Sequence, residues 1–383
     1  MIDQLPNIRH IAAVAATVAH GSVTRAARAV NLTQPALTQA IARLEKDLGC
    51  QLFDREPGGM RPTESALLLA PRAERAIAEI GSPRVTATQI RAFLSLSRAG
   101  SYASAAQRTG LSAASLHRAV NDLSLALGER LVERRGRHIA LTPKGEARAR
   151  RFGIAIAELR SGFAEVSLWL GKAGGKIVIG AMPLSRARWL PLSIARFAAD
   201  RPNVDIAVIE GSHSELAGPL RDGEIDFLLG ALREEEALDD LEQAASFEDR
   251  PQLVMRQGHP LSKARTIGVA DLHRYPWILP SLHTPLRGYW RGMMGGEHAD
   301  LPHVSIECGS VLTIRELIRE SDALTLLSPD QLRVEIEAGL LIGRAPPVPV
   351  RRTIGITTRR DWRPTAPQRE MIAILQDIAQ QIS

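Results

Sequence analysis

At 383 residues, with 45% hydrophobic residues and only two cysteines, the chain has room for two or three domains with real cores and lacks the thiols for a disulfide framework. No apolar run approaches membrane-spanning length and Met1-Ile2-Asp3-Gln4 begins no signal peptide, so the expectation is a cytoplasmic protein with no membrane partner. The net charge of +6 is uneven: residues 1–170 hold 23 Lys and Arg against 14 Asp and Glu, and residues 171–383 hold 25 against 28, which is the balance of a phosphate-binding module joined to a near-neutral one.

In chain order, Ile8, Ile11, Ala15 and Val18 share a helical face, and Gly21-Ser22 stops that helix, with Ser22 placed to cap the next. Ala26-Ala27 lets two helices approach closely. Asn31-Leu32 turns the chain, Thr33 is an N-cap, and Pro35 sits in a first helical turn where its missing N–H costs nothing. Leu37, Ile41, Leu44 and Leu48 then repeat at core spacing, while Gln34, Thr38, Gln39 and Arg43 occupy the opposite face. An apolar back and a front of amides and hydroxyls is helix-turn-helix grammar, because such groups read base edges. On these residues alone, a small helical bundle with a polar outer face is an equal reading.

Gly21-Ser22 with Ala26-Ala27, then Leu32-Thr33-Gln34-Pro35-Ala36-Leu37-Thr38, then Arg43-Leu44-Glu45-Lys46-Asp47-Leu48-Gly49 and Leu52-Phe53-Asp54-Arg55 resemble the DNA-binding end of LysR-type transcriptional regulators in order and spacing. One departure is Thr63-Glu64-Ser65-Ala66, where the family has Thr-x-x-Gly. The resemblance implies double-stranded DNA as partner, with Thr33, Gln34, Pro35, Thr38, Gln39, Arg43 and Arg55 at the contact.

A short helix from Ala66 to Ile80, interrupted by Pro71, ends at Gly81-Ser82-Pro83, and the pattern then restarts. Gly100 to Thr142 repeats Gly21 to Thr63 at an offset of 79 without a gap, with 13 identities in 43 positions. The copies differ where DNA contact is expected. Gln34-Pro35 becomes Ala113-Ala114, Thr38-Gln39 becomes His117-Arg118, and the family-like Arg-Leu-Glu becomes Asp122-Leu123-Ser124. The hairpin Asp54 to Arg61 nearly neutralises itself, whereas Arg134-Arg135-Gly136-Arg137-His138 makes a basic turn. The expectation is divided labour: the first copy selects sequence, while Ser112, Ser115, His117, Arg118, Arg134, Arg135 and Arg137 add contact and phosphate grip beside it. A second copy kept only as a spacer is the competing reading.

Thr142-Pro143-Lys144-Gly145 restores the family's Thr-x-x-Gly and runs into a helix expected over Glu146 to Leu170, striped with Ile154, Ile156, Ala157, Leu159, Phe163, Val166 and Leu170. The family resemblance implies that this helix joins head to effector domain and pairs two subunits; packing inside one chain would look the same. Gly171 to Gly175 reads as a hinge. From Lys176, strands (176–180, 204–210, 226–230) alternate with helices (190–199, 214–221), which implies parallel pairing and right-handed crossovers. A second lobe begins near Pro251, with strands at 277–279, 304–308 and 323–327, before a strand at 352–358 and a closing helix at 368–382.

Leu190-Pro191, Asp200-Arg201-Pro202-Asn203-Val204, Gly223-Glu224-Ile225-Asp226 and Gly258-His259-Pro260-Leu261 resemble runs of the periplasmic-binding-protein-like effector domain of the same regulators. The expected fold class is therefore mixed: two N-terminal α-helical winged helix-turn-helix units (1–80 and 86–145), a linker helix and hinge (146–175), and a two-lobed α/β effector domain over 176–383. Lobe I would hold about 176–250 and 343–383, and lobe II about 251–342.

Ligands of open α/β sheets bind at the carboxyl ends of strands, which directs attention to Ser185, Arg186, Ser212, His213, Ser281, Thr284 and Ser310. A helix-cap role fits each hydroxyl as well as a ligand role does. Arg186, Arg188 and His213 favour a polar or anionic small-molecule effector. No metal spacing, nucleophile elbow, phosphate loop or dinucleotide fingerprint stands in the chain, so no cofactor and no enzymatic activity are expected. The reading is a ligand-responsive transcriptional regulator, a homodimer or homotetramer; the alternative is a solute-binding or enzymatic α/β domain with structural helical units in front.

Overall fold

A computed structural model of the chain describes residues 5–56, 59–135, 138–172, 175–233, 240–282, 284–296 and 301–382. The first unit comprises α1 (Ile8–His20), α2 (Val23–Ala29), α3 (Gln34–Leu48), the hairpin β1 (Phe53–Glu56) and β2 (Gly59–Pro62), and α4 (Glu64–Ile80). Asn7 starts α1 by accepting the Arg9 N–H at 3.0 Å, and Gly21 ends it in the left-handed conformation. Leu37, Ile41 and Leu44 of α3 are buried against Ile11 and Val14 of α1, each worth about 1.5–3 kcal/mol relative to exposure. Two expectations are corrected. Ser22 stands before α2 but its side chain makes no cap bond. Pro71 does not interrupt α4, which runs unbroken through it. The ring lies on the exposed side, and the carbonyl it deprives, that of Leu67, belongs to a residue 47% exposed, so water can satisfy it.

The second unit comprises α5 (Ala87–Ala99), α6 (Tyr102–Thr109), α7 (Ala113–Leu127), the hairpin β3 (Val132–Arg135) and β4 (His138–Leu141), and α8 (Pro143–Trp169). Every element starts 79 residues after its counterpart. Even the left-handed residue of the turn recurs, as Asn31 at φ +55° and Gly110 at φ +70°. Those are residue types that tolerate this conformation. The helix expected from Glu146 starts at Pro143, as the counterpart of α4 prolonged to Trp169. It lies antiparallel to α4 of the same chain: Gly162 faces Leu69 and Arg72, and Arg151 faces Glu79. One apolar core runs from Ile8 to Val166 through both units. Of the expected hinge, Gly171 and Gly175 have positive φ, and residues 173–174 lie outside the described residues.

Lobe I is a five-stranded sheet of β5 (Lys176–Ala181), β6 (Asp205–Glu210), β7 (Phe227–Ala231), β8 (Leu241–Asp249) and β14 (Arg352–Arg359), in the order β6-β5-β7-β14-β8. The strands linked through α9 (Trp189–Asp200) and α10 (His213–Arg221) pair in parallel, as crossover connections require. The returning β14 is antiparallel to both neighbours. α9 and the closing α15 (Ala366–Ile382) cover one face, where Trp189 donates to the Leu375 carbonyl at 2.8 Å. Lobe II holds β9 (Gln252–Arg256) between β12 (Thr325–Leu327) and β13 (Leu341–Arg344), all antiparallel, and a parallel pair of β10 (Trp277–Leu279) and β11 (Val304–Glu307). Among the described residues, no helix is long and apolar enough to cross a membrane.

Candidate nucleic-acid interface and effector cleft

α3 presents Gln34 and Gln39 as exposed side chains, with Thr38 half-buried beside them. Thr33 caps the helix by accepting the Ala36 N–H, and Pro35 occupies its first turn. Gln34 donates to the Thr24 hydroxyl at 2.7 Å, which ties the start of α3 to α2 and leaves its amide oxygen free of that bond. Arg43 is exposed and lies 3.8 Å from Asp47, a surface pair of little energetic weight. In α7, Ser112 is the cap and bonds both the Ser115 N–H (3.1 Å) and the Ser115 hydroxyl (2.8 Å), so these two serines are first of all structural. His117 lies against Tyr102 with ring centroids 5.2 Å apart, and its Nδ1 faces the Asn121 amide at 3.3 Å. Arg118 is exposed.

The hairpins are attached differently. Glu45 accepts the Leu52 and Phe53 N–H groups at 2.8 and 3.3 Å and so pins the start of the first wing to α3. Ser124 stands there in the second copy and turns back to the Val120 carbonyl instead. Just before that wing, Glu129 is held by Arg148 of α8 at 2.7 and 2.9 Å, which keeps its carboxyl below the ordinary carboxylate range. The Thr-x-x-Gly motif has a steric cause: a Cβ on Gly145 would stand 2.0 Å from the Leu131 carbonyl oxygen. Arg55 is exposed on the first wing. On the second, Arg134 is exposed and Arg135 is bound to Glu133 at 2.7 Å, so this wing is less freely basic than its sequence reads. Arg137 lies outside the described residues.

α8 seats the head on lobe I. A Cβ on Gly153 would fall 2.2 Å from the Asp222 carbonyl oxygen, so only glycine allows this approach. Around it, Arg160 reaches the buried Asp226 at 2.7 Å, Arg150 reaches Asp240 at 3.3 Å, and Arg98 of α5 pairs with Glu224. Arg359, half-buried, donates to the Leu220 and Ile225 carbonyls at 2.8 and 2.9 Å, and desolvation pulls its guanidinium down to about 10.

At the expected effector loops, the structure separates structural hydroxyls from exposed ones. Ser185 is fully buried and donates to the Met182 and Leu229 carbonyls at 2.8 and 3.2 Å, so it locks a turn and offers no free donor to a ligand. Arg186 is paired with Glu210. Ser212 forms a capping box with Glu215. Across the lobes, Thr284 precedes α12 (Pro285–Met293) and donates to the carbonyl of the exposed Ser281 at 2.9 Å. Ser310 caps α13 (Val311–Arg319).

His213, opening α10, is pushed below its ordinary value by burial and then by Arg233 and Arg221, so the imidazole is neutral at pH 7. Arg233 was not among the expected residues. Gln243 grips its backbone N–H and carbonyl at 2.9 and 2.8 Å, and its Nε is buried with no hydrogen-bond partner among the described residues. Burial pulls its guanidinium below the ordinary value, and Tyr289 of lobe II lines a cavity of about 430 Å³ with Gly288, Gly292, Met293 and residues 348–351. Arg188 bridges the lobes to Asp330 at 3.5 Å. Arg233 sits before Glu234-Glu235-Glu236, a run that reads as a solvated charge cluster, and only the position at the carboxyl end of β7 could have marked it.

Comparison with known proteins places these features. Residues 8–67 and 87–146 each match the bacterial regulatory helix-turn-helix protein, lysR family, and residues 171–380 match the LysR substrate binding domain. The chain is 32% identical over 357 residues to the HTH-type transcriptional regulator GalR of Pseudomonas putida, with 89% of each chain covered. It is 24% identical over 299 residues to the HTH-type transcriptional regulator PcaQ of Agrobacterium fabrum, covering 77% of this chain and 96% of that one. Among solved structures, a full-length OxyR variant from Pseudomonas aeruginosa (21% identity, TM-score 0.53, 76% of this chain and 94% of that one) is similar in fold. So is full-length LysG from Corynebacterium glutamicum with bound effector Arg (18%, TM-score 0.53, 76% and 97%).

Proposed function

The chain belongs to the LysR family of transcriptional regulators, and on that premise we propose how its parts divide the work. Both heads touch double-stranded DNA. α3 reads base edges through Gln34, Thr38 and Gln39, with Thr33, Pro35, Arg43 and Arg55 positioning it. α7 approaches through Ser112, Ser115, His117 and Arg118, and its wing grips phosphate through Arg134, Arg135 and Arg137. The observation that carries this reading is the pair of polar faces on α3 and α7, each exposed opposite a fully buried leucine, Leu37 or Leu116. The test is fluorescence anisotropy of labelled duplexes at rising salt. Affinity should fall steeply, with a slope of about −0.9 per phosphate contact. Absence of binding to any duplex, or binding indifferent to salt, sinks it.

The effector is a small polar or anionic molecule held between the lobes. His213, Arg233 and Tyr289 are its contacts, with Arg186, Ser212, Ser281, Thr284 and Ser310 around them. Ser185 shapes the turn beneath. The regulator acts as a homodimer or homotetramer in the cytoplasm. A panel of carboxylates in a thermal-shift assay tests the cleft: a true ligand at a hundred times its Kd adds about 2.7 kcal/mol. Stabilisation that survives Arg233→Gln assigns the ligand to another site.

A further inference from the structure

The contacts between the two heads are reciprocal. Arg72 of α4 reaches Glu158 of α8 at 3.0 Å, and Arg151 of α8 reaches Glu79 of α4 at 3.0 Å. Under the 79-residue offset Arg151 answers Arg72 and Glu158 answers Glu79, so the second contact is the first with the copies exchanged. When residue i touches j of the other copy and j touches i in return, the copies are related by a twofold rotation. The antiparallel course of α4 and α8 obeys that rotation, and the shared core from Ile8 to Val166 fixes it in the fold. The second head therefore lies across a pseudo-dyad from the first, which is the relation that reads two inverted half-sites on a duplex.

The heads differ at the reading positions. α3 carries Gln34, Thr38 and Gln39; the same positions of α7 are Ala113, His117 and Arg118. Glutamine amides match the N6 and N7 edge of adenine, and arginine matches O6 and N7 of guanine. Both side chains are exposed, but the His117 ring lies against Tyr102 and its Nδ1 faces the Asn121 amide, so Arg118 is the reader with the freer hydrogen-bonding edge. Resting on the DNA-binding reading above, we propose that a single chain is a complete two-headed reader of an inverted repeat with unlike halves, one contacted at adenine by α3 and the other at guanine by α7.

The test is selection of bound duplexes from a random library by the full-length protein, followed by the ratio of chains to motifs with the selected duplex in excess, where a homodimer should carry two motifs, one per chain. The expected motif has two inverted, non-identical halves, with one chain per motif. Gln39→Ala should relax the adenine half alone and Arg118→Ala the guanine half alone, each by about 5- to 150-fold in discrimination. Arg118→Gln, a substitution at an exposed position, should move the second half from guanine toward adenine. A motif with one half, a motif with identical halves, or two chains on one motif overturns the proposal. So does Arg118→Ala lowering affinity equally on every sequence. If no sequence is enriched because no duplex is bound, the DNA-binding reading fails with it, an outcome separate from the others.

Discussion

Replacing Arg72 with methionine asks how much the junction between the heads contributes to stability. Arg72 is 6% exposed, and its guanidinium donates to Glu158 at 3.0 Å, to Glu165 at 2.8 and 3.3 Å, and to the Arg363 carbonyl at 2.8 Å. Methionine fills similar volume but leaves Glu158, itself 6% exposed, with Arg75 at 3.4 Å as its remaining ion-pair partner among the described residues. Removing one partner of a buried ion cluster costs about 3–5 kcal/mol, because the other charge stays buried without compensation. The duplicated twin supplies the control. Arg151 is 42% exposed at its side chain and pairs with Glu79 at 3.0 Å, so Arg151→Met should cost about 0.2–1 kcal/mol. Urea unfolding followed by far-ultraviolet circular dichroism compares the two. Changing Arg72, Glu158 and Glu165 together to methionine should recover most of the loss, since well-packed apolar replacements of buried ion clusters are often neutral or better. Equal costs for Arg72→Met and Arg151→Met would refute the reasoning, because burial would then not set the energy of the pair.

Three further outcomes follow from single contacts. Gly153→Val places carbon against the Asp222 carbonyl oxygen and should cost about 1–3 kcal/mol in thermal unfolding while opening the seam between α8 and lobe I to limited proteolysis; an unchanged digestion pattern would place the seam elsewhere. Changing Arg134, Arg135 and Arg137 to alanine together should flatten the salt dependence of DNA binding by up to about three phosphate contacts, with Arg135 giving least because Glu133 already holds it. His213 has a depressed folded value, so it contributes stability that is full above its ordinary value of 6.5 and is lost as pH falls through the lower folded value. His213→Gln should lose less stability than the wild type over that fall, and a parallel loss in both would show that folding does not shift the titration of His213.

What could be read in advance followed the kind of force involved. Leu37, Ile41 and Leu44 declare a buried helix face by spacing, and the 79-residue repeat declares a second one at Leu116, Val120 and Leu123. β8 escaped because Glu242-Gln243-Ala244-Ala245-Ser246-Phe247-Glu248 has no clean alternation; it lies at the sheet edge, where one neighbour suffices. Arg72 looks like any surface cation on an amphipathic helix, and its partners lie 86 and 93 residues away. The close approaches at Gly145 and Gly153 depend on carbonyls brought near by tertiary packing, which no local pattern records. In the effector cleft, Ser212 is a candidate ligand by its place at the carboxyl end of a strand, but its Ser-x-x-Glu spacing also makes a capping box, and the cap is what forms.

The common core of the two heads also changes how binding responds to the amount of protein. Heads that must first find each other as separate chains occupy a two-part site with the square of concentration once they are dilute. Heads folded together hold a fixed local concentration with respect to each other, set by the fold and independent of copy number. For this chain, with α4 already seated on α8, occupancy of a two-part site should rise with the first power of concentration. Halving the number of molecules in a cell would then halve the occupancy of a sparsely filled operator, where separately diffusing heads would quarter it.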